Sequence, residues 1–237
     1  MKSTASKTAA PSKSDLPVAS AKKSILLVDD HPLMRAGLAQ LINKQPDMIV
    51  SAEADDPIQA TRELSKAMVD LVLTDLTMPG RGGIEFIKDL RVLYPELLIL
   101  VVSMHDEMLY AERALRAGAR GYIMKEAGGE KLVAAIRQVL AGQVYTSPRM
   151  NTKIVESFSA QKPRGSNSPI ETLSDREFEV FQLIGAGKGT HEIAKQLRLS
   201  SKTVDVHRSH IKEKLAIPDN PSLIHYAVRW IESNANP

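Results

Sequence analysis

Residues 25–38 read ILLVDDHPLMRAGL, and this stretch decides the fold of the first half of the chain. A run of four apolar residues ends in two aspartates, and a proline then opens an amphipathic segment of helical length. The same rhythm continues with four further short apolar runs, at 48–52, 71–73, 97–102 and 121–124. Alternating strand and helix signals of this kind predict five βα units that build a parallel sheet.

Composition separates the flanking segments from this α/β domain, which we place at residues 24–142. Residues 1–23 contain five lysines, one acid and mostly Ser, Ala and Thr, so they cannot bury a core and are predicted to form a disordered basic tail. Residues 143–169 lose apolar content and end in the turn-rich string QKPRGSNSP. This composition predicts a linker, with room for one short helix around 148–159.

Residues 170–237 show no strand-like alternation and predict a small all-α domain. Ser174 and Glu177 have the spacing of a helix-capping box. A very tight turn at Leu199-Ser200 separates two of the helical patterns, which is typical of a helix-turn-helix. The four helical patterns lie near 175–186, 190–197, 201–215 and 221–233.

Charge and residue usage narrow the class of protein. The chain has no cysteine, so disulfides and thiolate metal sites are excluded, and no window of about 18 apolar residues predicts a membrane span. We therefore expect a cytoplasmic protein with no membrane partner. The net charge of +3 is unevenly spread, because residues 24–142 hold 17 acids against 13 bases and residues 170–237 hold nine of each. Most of the basic excess lies in the tail and the linker.

Carboxylates follow two of the predicted strands. Asp29 and Asp30 end the first strand, and Asp75 ends the third. In a sheet of order 2-1-3-4-5 these strands are neighbours, and the chain order reverses between them, which opens a crevice at their carboxyl ends. Three carboxylates at short range require a cation, and oxygen ligands of this kind suit Mg²⁺.

Ser103 and Lys125 end the fourth and fifth strands and bring a hydroxyl and an ammonium to the same edge. A carboxylate nucleophile, a metal and a neutralising cation are the parts of a phosphoryl-accepting site. Taken singly, an Asp-Asp turn or a lone lysine is most often a solvated surface feature. The prediction rests on four strand ends that each supply a suitable group.

The strings VDDHPLMRAGL, LVLTDLTMP, VVSMHDE and RAGARGYIMKEA closely resemble the receiver domains of response regulators, over residues 24–142. The resemblance implies a flavodoxin-like (βα)5 fold with sheet order 2-1-3-4-5 and phosphorylation of Asp75. It also implies that Mg²⁺ is held by Asp29, Asp30, Asp75 and the backbone carbonyl of Thr77.

The same resemblance assigns roles to three further residues. Lys125 would contact the phosphoryl group, while Ser103 and Tyr122 would be coupled switch residues, with the hydroxyl drawn to the phosphoryl group and the ring turning inward. From the sequence alone, ordinary packing explains Tyr122 equally well. Many receivers have a proline in a cis bond after the lysine; Glu126 stands there in this chain, so no cis bond is expected.

A phosphatase of the haloacid dehalogenase type is an alternative for the first domain, because those enzymes also use an aspartate at a strand end as nucleophile. They need a second aspartate two residues later as general acid and base. This chain has Thr77 at that position, and it carries the separate pair Asp29 and Asp30. We therefore expect that the protein is not an enzyme.

Basic residues are concentrated around the predicted turn, with seven bases against three acids between 188 and 214. If Val204, His207, Ile211 and Leu215 face inward, the opposite side of that helix could enter a DNA major groove. A solvated helix face in a structural bundle would show a similar charge run. The candidate DNA contacts are Lys188, Thr190, His191, Lys202, Thr203, Asp205, Val206, Arg208, Ser209 and Lys212.

The string from Leu173 to Ile217 closely resembles the LuxR-type helix-turn-helix, and the whole chain resembles NarL/FixJ-type transcription regulators. It departs from many members at Gly189-Thr190-His191, where a phosphate-contacting lysine is missing. Asp205 stands where many members have a base-contacting lysine, and a carboxylate can accept a hydrogen bond from cytosine N4. The DNA sequence preference of relatives should therefore not be assigned to this chain.

The resemblance implies a set of partners and leaves one alternative open. A sensor histidine kinase would phosphorylate Asp75. A homodimer would bind double-stranded promoter DNA through its helical domains, and RNA polymerase is a further candidate partner. The apolar residues of the last helix are explained equally well by dimerisation and by core packing. Alternatively, the first domain is an interaction module that works without phosphorylation.

Overall fold

The computed structural model describes residues 22–78, 82–152 and 169–235. The predicted basic tail therefore lies outside the described residues, apart from its last two positions. Residues 148–152 are helical, where a short linker helix is predicted, and the rest of the predicted range, residues 153–159, lies outside the described residues. Within the described ranges, no helix is both long and apolar enough to cross a membrane.

The first domain is a five-stranded sheet with helices on both faces. Its strands lie in the order β2-β1-β3-β4-β5, and every pairing is parallel, which confirms the predicted topology. The elements are β1 (Lys23–Val28), α1 (Pro32–Asn43), β2 (Met48–Ala54), α2 (Pro57–Lys66), β3 (Leu71–Thr74), α3 (Gly83–Leu93), β4 (Leu98–Ser103), α4 (Glu107–Ala117), β5 (Gly121–Met124) and α5 (Gly129–Leu140).

Strand residues alternate between two buried layers. Leu26 and Val72 pack on the face that is covered by α2, α3 and α4. Leu27 and Leu73 pack on the opposite face, against α1 and α5. Because helices cover both faces, each strand needs apolar side chains at successive positions, which explains the continuous apolar runs in the sequence.

Packing of the first domain continues beyond residue 142. The backbone N–H of Tyr145 donates to the carbonyl oxygen of Arg120 at 2.9 Å, and Tyr145 forms a parallel bridge with Gly121 beside β5. Met150 is also buried. The start of the segment predicted as a linker is thus attached to the sheet edge.

The second domain consists of four helices, close to the predicted ranges: α6 (Asp175–Gly185), α7 (Thr190–Leu197), α8 (Ser201–Lys214) and α9 (Asn220–Ala235). The predicted capping box is formed, because Ser174 Oγ accepts from the Glu177 N–H and Glu177 Oε2 accepts from the Ser174 N–H. Glu177 Oε2 also accepts from Lys214 Nζ at 2.7 Å, which ties the start of α6 to the end of α8.

Helix α9 packs along α6. Leu223 and Ala227 are fully buried, and the Trp230 ring lies edge-on to Phe178 and Phe181 at centroid distances of 5.7 and 5.6 Å. Core packing therefore accounts for these apolar residues of α9. The Ile224 and Tyr226 side chains of α9 are exposed, although the Tyr226 ring also lies 6.0 Å from the Phe181 ring.

The two domains are in contact through α3 and α4 of the first and α6 of the second. Arg113 on α4 donates to the carbonyl oxygens of Ile170 and Leu173 and to Asp175 Oδ1, each at 3.1 Å. Its guanidinium carbon lies 4.1 Å from the centre of the Phe178 ring, in a cation–π contact. Lys88 on α3 adds an ion pair with Asp175 at 2.7 Å.

At Gly185 of α6, the backbone lies so close to α9 that there is no room for a side chain. An added Cβ would lie 2.6 Å from the carbonyl oxygen of Ala227 and 2.5 Å from Ile231 Cδ1. We expect Gly185→Ala to lower the free energy of unfolding by about 1 to 3 kcal/mol, because overpacking forces the two helices apart. Urea unfolding of the full chain measures the change.

Gly37 provides the control, because it lies within α1 and an added Cβ would meet no atom within 4 Å. Gly37→Ala should stabilise the chain by about 0.5 to 1 kcal/mol through helix propensity alone. A Gly185→Ala protein as stable as the wild type would contradict the close approach of α6 and α9.

Candidate functional site

The three predicted carboxylates meet at the carboxyl edge of β1 and β3. Asp29 and Asp75 are buried, and Asp30 is half-buried beside them. One ligand atom from each of these residues and from His31 lies within 4.8 Å of all the others. Sequence reasoning missed His31 as a member of this cluster, although its position directly after the aspartate pair is a signal that could have found it.

Lys125 joins the two buried carboxylates. Its Nζ lies 2.7 Å from Asp29 Oδ2 and 2.7 Å from Asp75 Oδ2, and its side chain is 3% exposed. Burial alone would lower the pKa of Lys125, but the carboxylates of Asp75 and Asp29 outweigh burial and raise it. The ammonium therefore stays charged and neutralises part of the pocket.

Backbone N–H groups hold the remaining oxygens in place. Asp75 Oδ1 accepts from the N–H groups of Leu76 at 2.6 Å and Thr77 at 3.3 Å. Asp29 Oδ1 accepts from the His31 N–H at 2.9 Å. The carboxylates are thus fixed by the loops that follow their strands, and clustered oxygen donors of this kind fit a hard divalent cation.

Ser103 and Tyr122 are both fully inside the domain. The Ser103 hydroxyl oxygen accepts from the His105 N–H at 3.3 Å. The Tyr122 hydroxyl donates to the His105 carbonyl oxygen at 2.8 Å, and burial raises the pKa of Tyr122. The ring that the resemblance expects to turn inward is therefore already inward, with 1% of the residue exposed.

His105 is a further residue of this site that sequence reasoning missed. Its Nε2 lies 2.6 Å from Thr77 Oγ1, and burial lowers its pKa, with Asp75 opposing and Lys125 supporting the shift. The sequence signal was its position two residues after Ser103, on the same strand-end loop. No cis peptide bond occurs among the described residues, and the Lys125–Glu126 bond is trans as expected.

Helix α8 presents its predicted outer face to solvent. Of the four residues expected to face inward, Val204 and Ile211 are buried, while His207 and Leu215 are only half-buried. Among the candidate DNA contacts, the exposed residues are Lys188, His191, Lys202, Asp205, Val206 and Ser209, and the half-buried residues are Thr190, Thr203, Arg208 and Lys212.

Two of the half-buried candidates bind each other. Arg208 donates from a terminal nitrogen to Thr190 Oγ1 at 2.6 Å, which joins α8 to the start of α7. The tight turn between the two helices is made by Arg198, whose φ of +50° is left-handed, and by the Leu199 N–H, which donates to the Ala194 carbonyl oxygen. The geometry is that of a helix-turn-helix.

An acidic pocket at the edge of a five-stranded parallel sheet, on one chain with a helix-turn-helix, is the construction of a two-component response regulator. Residues 25–137 match the family described as "Response regulator receiver domain", and residues 171–227 match "Bacterial regulatory proteins, luxR family". The chain therefore belongs to the LuxR-type response regulators, a family of transcription regulators.

Individual relatives agree with this membership. The oxygen regulatory protein NreC of Staphylococcus carnosus is 37% identical over 209 residues, covering 86% of this chain and 96% of that protein. A LuxR-family response regulator structure from Aurantimonas sp. SI85-9A1 has a TM-score of 0.55 and 39% identity, covering 59% of this chain and 99% of that one. RcsB from Salmonella enterica serovar Typhimurium, bound to promoter P1flhDC with the phosphomimetic BeF3⁻, has a TM-score of 0.60 and 26% identity, covering 87% and 98%.

The ammonium of Lys125 contacts two of the carboxylates that would bind a metal cation, so the two cations would compete for the same negative charge. Replacing Lys125 with Met removes the ammonium and keeps most of the apolar stem, so Asp29 and Asp75 lose their neutralising partner. We expect Mg²⁺ to bind Lys125→Met at least about tenfold more tightly in calorimetric titrations. Lys131→Met, which removes an exposed ammonium on α5, should leave Mg²⁺ binding unchanged. Weaker binding in Lys125→Met would contradict this account of the pocket's charge.

Proposed function

We propose that this response regulator is controlled by phosphorylation of Asp75 by a sensor histidine kinase and that its helical domain binds promoter DNA. The observation that carries the proposal is the placement of Asp75, which is buried, held by backbone N–H groups and paired with Lys125. Access to promoter DNA implies a cytoplasmic location. Contact with RNA polymerase stays a prediction.

The donor set fits Mg²⁺, and Asp29, Asp30, Asp75 and the Thr77 carbonyl would hold it. When bound, the ion supplies positive charge to the oxygens of the transferred group. Asp75 provides the nucleophile: a carboxylate oxygen attacks phosphorus, the phosphorus–nitrogen bond of the donor phosphohistidine breaks, and an acyl phosphate forms while the imidazole leaves. The leaving nitrogen keeps the electron pair of the broken bond and takes up a proton from solvent, which gives neutral imidazole.

Lys125 is placed to follow the negative charge during this transfer. Its ammonium touches both Asp29 and Asp75 and can exchange the Asp75 contact for a phosphoryl oxygen while it keeps the Asp29 contact. Ser103, on the neighbouring strand end, would offer its hydroxyl to another phosphoryl oxygen. The position that would need a general acid and base for turnover holds Thr77, whose hydroxyl is engaged with His105. We infer that the domain accepts a phosphoryl group and is not a turnover phosphatase.

The contact between the domains indicates how phosphorylation would act on DNA binding. Helix α6 is held against α3 and α4, whereas Lys202, Asp205 and Val206 on α8 remain exposed in the same structure. Phosphorylation would therefore change how the helical domain is oriented or paired, since the side of α8 that would enter the groove is already exposed. Homodimers suit this role because two-fold DNA sites fix the spacing of two recognition helices.

Phosphorylation of Asp75 can be tested with a small-molecule phosphodonor and Mg²⁺. We expect intact-mass spectrometry to show the addition of one phosphoryl group to the wild type and none to Asp75→Asn, because the amide is not a nucleophile for this step. Asp55→Asn is the matched control, since Asp55 is an exposed aspartate after the neighbouring strand β2. Equal phosphorylation of wild type and Asp75→Asn would rule Asp75 out.

A second measurement tests the alternative function of the first domain. Unchanged DNA affinity and oligomeric state after verified phosphorylation would favour a phosphorylation-independent interaction module.

Asp205 would contribute to the choice of DNA sequence. It is exposed on the outer face of α8, where its carboxylate repels phosphates and can accept from cytosine N4. We expect Asp205→Lys to bind DNA more tightly in general, to steepen the dependence of log affinity on log salt by about 0.9 per added phosphate contact, and to change the base preference. Selection of bound DNA and salt titrations measure these effects.

Glu213 offers a control with the same change of charge. It is exposed near the other end of α8, so Glu213→Lys should tighten binding without changing the selected sequence. If Asp205→Lys leaves both the selected sequence and the salt dependence unchanged, Asp205 does not lie at the DNA.

A further inference from the structure

His105 lies between the acidic pocket and the surface that holds the helical domain. On one side, its Nε2 is 2.6 Å from the hydroxyl of Thr77, whose backbone N–H donates to Asp75 Oδ1. On the other side, its ring stacks on Tyr110 of α4, with ring centroids 4.6 Å apart and planes inclined by 28°. One imidazole therefore contacts both the loop of the phosphoryl acceptor and the helix that faces α6.

Tyr110 carries this contact into the helical domain. Its hydroxyl donates to Gln182 Oε1 on α6, and its ring lies edge-on to Phe178 at 5.4 Å. Burial raises the pKa of Tyr110 well above its ordinary value, so the hydroxyl keeps its proton and remains a donor. The side chain of Tyr110 thus belongs to the first domain, while these two partners belong to the second.

The backbone of His105 is held by the two switch residues. Ser103 Oγ accepts from its N–H, and the Tyr122 hydroxyl donates to its carbonyl oxygen. Because the Tyr122 ring is already buried in this structure, phosphorylation cannot act by turning it inward. A phosphoryl group that draws the Ser103 hydroxyl towards Asp75 would instead take a hydrogen-bond acceptor from His105.

We propose that His105 is the positioning residue that couples phosphorylation of Asp75 to docking of α6 on α4, because its ring joins Thr77 to Tyr110. The proposal rests on the proposed function of Asp75 as phosphoryl acceptor. In the docked chain, the Thr77 contact and the Tyr110 stack hold the imidazole in one place. A phosphoryl group displaces it and weakens docking. Coupling of this kind is reciprocal, so loss of docking must favour the phosphorylated state by the same factor.

Reciprocity gives a test that uses the full chain, with beryllium fluoride and Mg²⁺ as the probe of the phosphorylated state. Arg113→Ala removes three interdomain hydrogen bonds and the cation–π contact with Phe178, and so releases docking. Arg116→Ala is the matched control, because Arg116 pairs with Glu112 within α4. Trp230, the only tryptophan of the chain, lies edge-on to Phe178 and lines the cleft between the domains together with Met108 of α4, so its emission reports whether docking has been lost.

With His105 present, we expect Arg113→Ala to tighten beryllium fluoride binding about tenfold, within the usual range of allosteric coupling, and Arg116→Ala to leave it unchanged. In the His105→Phe background, which keeps an aromatic ring but no nitrogen, Arg113→Ala should change the affinity by less than about twofold. Thr77→Val repeats the test by removing the hydroxyl partner, in case His105→Phe does not fold. Each comparison is a ratio within one background, so direct effects on the pocket cancel.

Equal tightening by Arg113→Ala in the chains with and without His105 would overturn the proposal, because a merely structural role of His105 leaves the coupling intact. The absence of tightening in the His105 chain, with docking loss verified by Trp230 emission, would also overturn it. If instead the proposed function of Asp75 is wrong, beryllium fluoride will bind the wild type and Asp75→Asn with the same affinity. This result distinguishes the two failures.

Discussion

The ammonium of Lys125, shared between Asp29 and Asp75, is the interaction on which the rest of the site depends. Two carboxylates that are buried side by side repel each other, and removing the only cation between buried charges commonly costs about 3 to 5 kcal/mol. Because Lys125 directly follows β5 while the aspartates directly follow β1 and β3, the paired arrangement requires all three strands to be in place. The pocket is therefore complete only when the ends of β1, β3 and β5 lie together at one edge of the sheet.

The contact between the domains depends on a second charge arrangement at Asp175. This carboxylate begins α6, where a negative charge is favoured by the exposed N–H groups of the first turn, and it also pairs with Lys88 and Arg113 of the other domain. The same acid thus stabilises its own helix and holds that helix to the receiver. Since these are partly exposed pairs, they add specificity of placement more than affinity, while the packing around Phe178 supplies the apolar area.

The pocket was predictable from the sequence because parallel strands carry their last residues to one edge. Asp29, Asp75 and Lys125 each follow an apolar run, and the strand order that follows from the βα rhythm brings them together. The neighbourhood of His105 was not predictable in this way. Tyr110 and Gln182 are 72 residues apart and belong to different domains, and no periodicity within either segment encodes which helix faces will meet. The inward direction of the Tyr122 ring likewise depends on the side chains packed around it, and the sequence pattern does not predict it.

The exposure of α8 in the docked chain has a consequence for the search along the chromosome. Sequence-independent association with DNA depends on cations that meet phosphates, and Lys202 is accessible before any change in the receiver. Under the proposed function, unphosphorylated molecules would already bind DNA weakly, leave most sites again and sample promoters as they do so. A stimulus would then change how long a molecule stays at its target, while the time needed to find that target would stay the same.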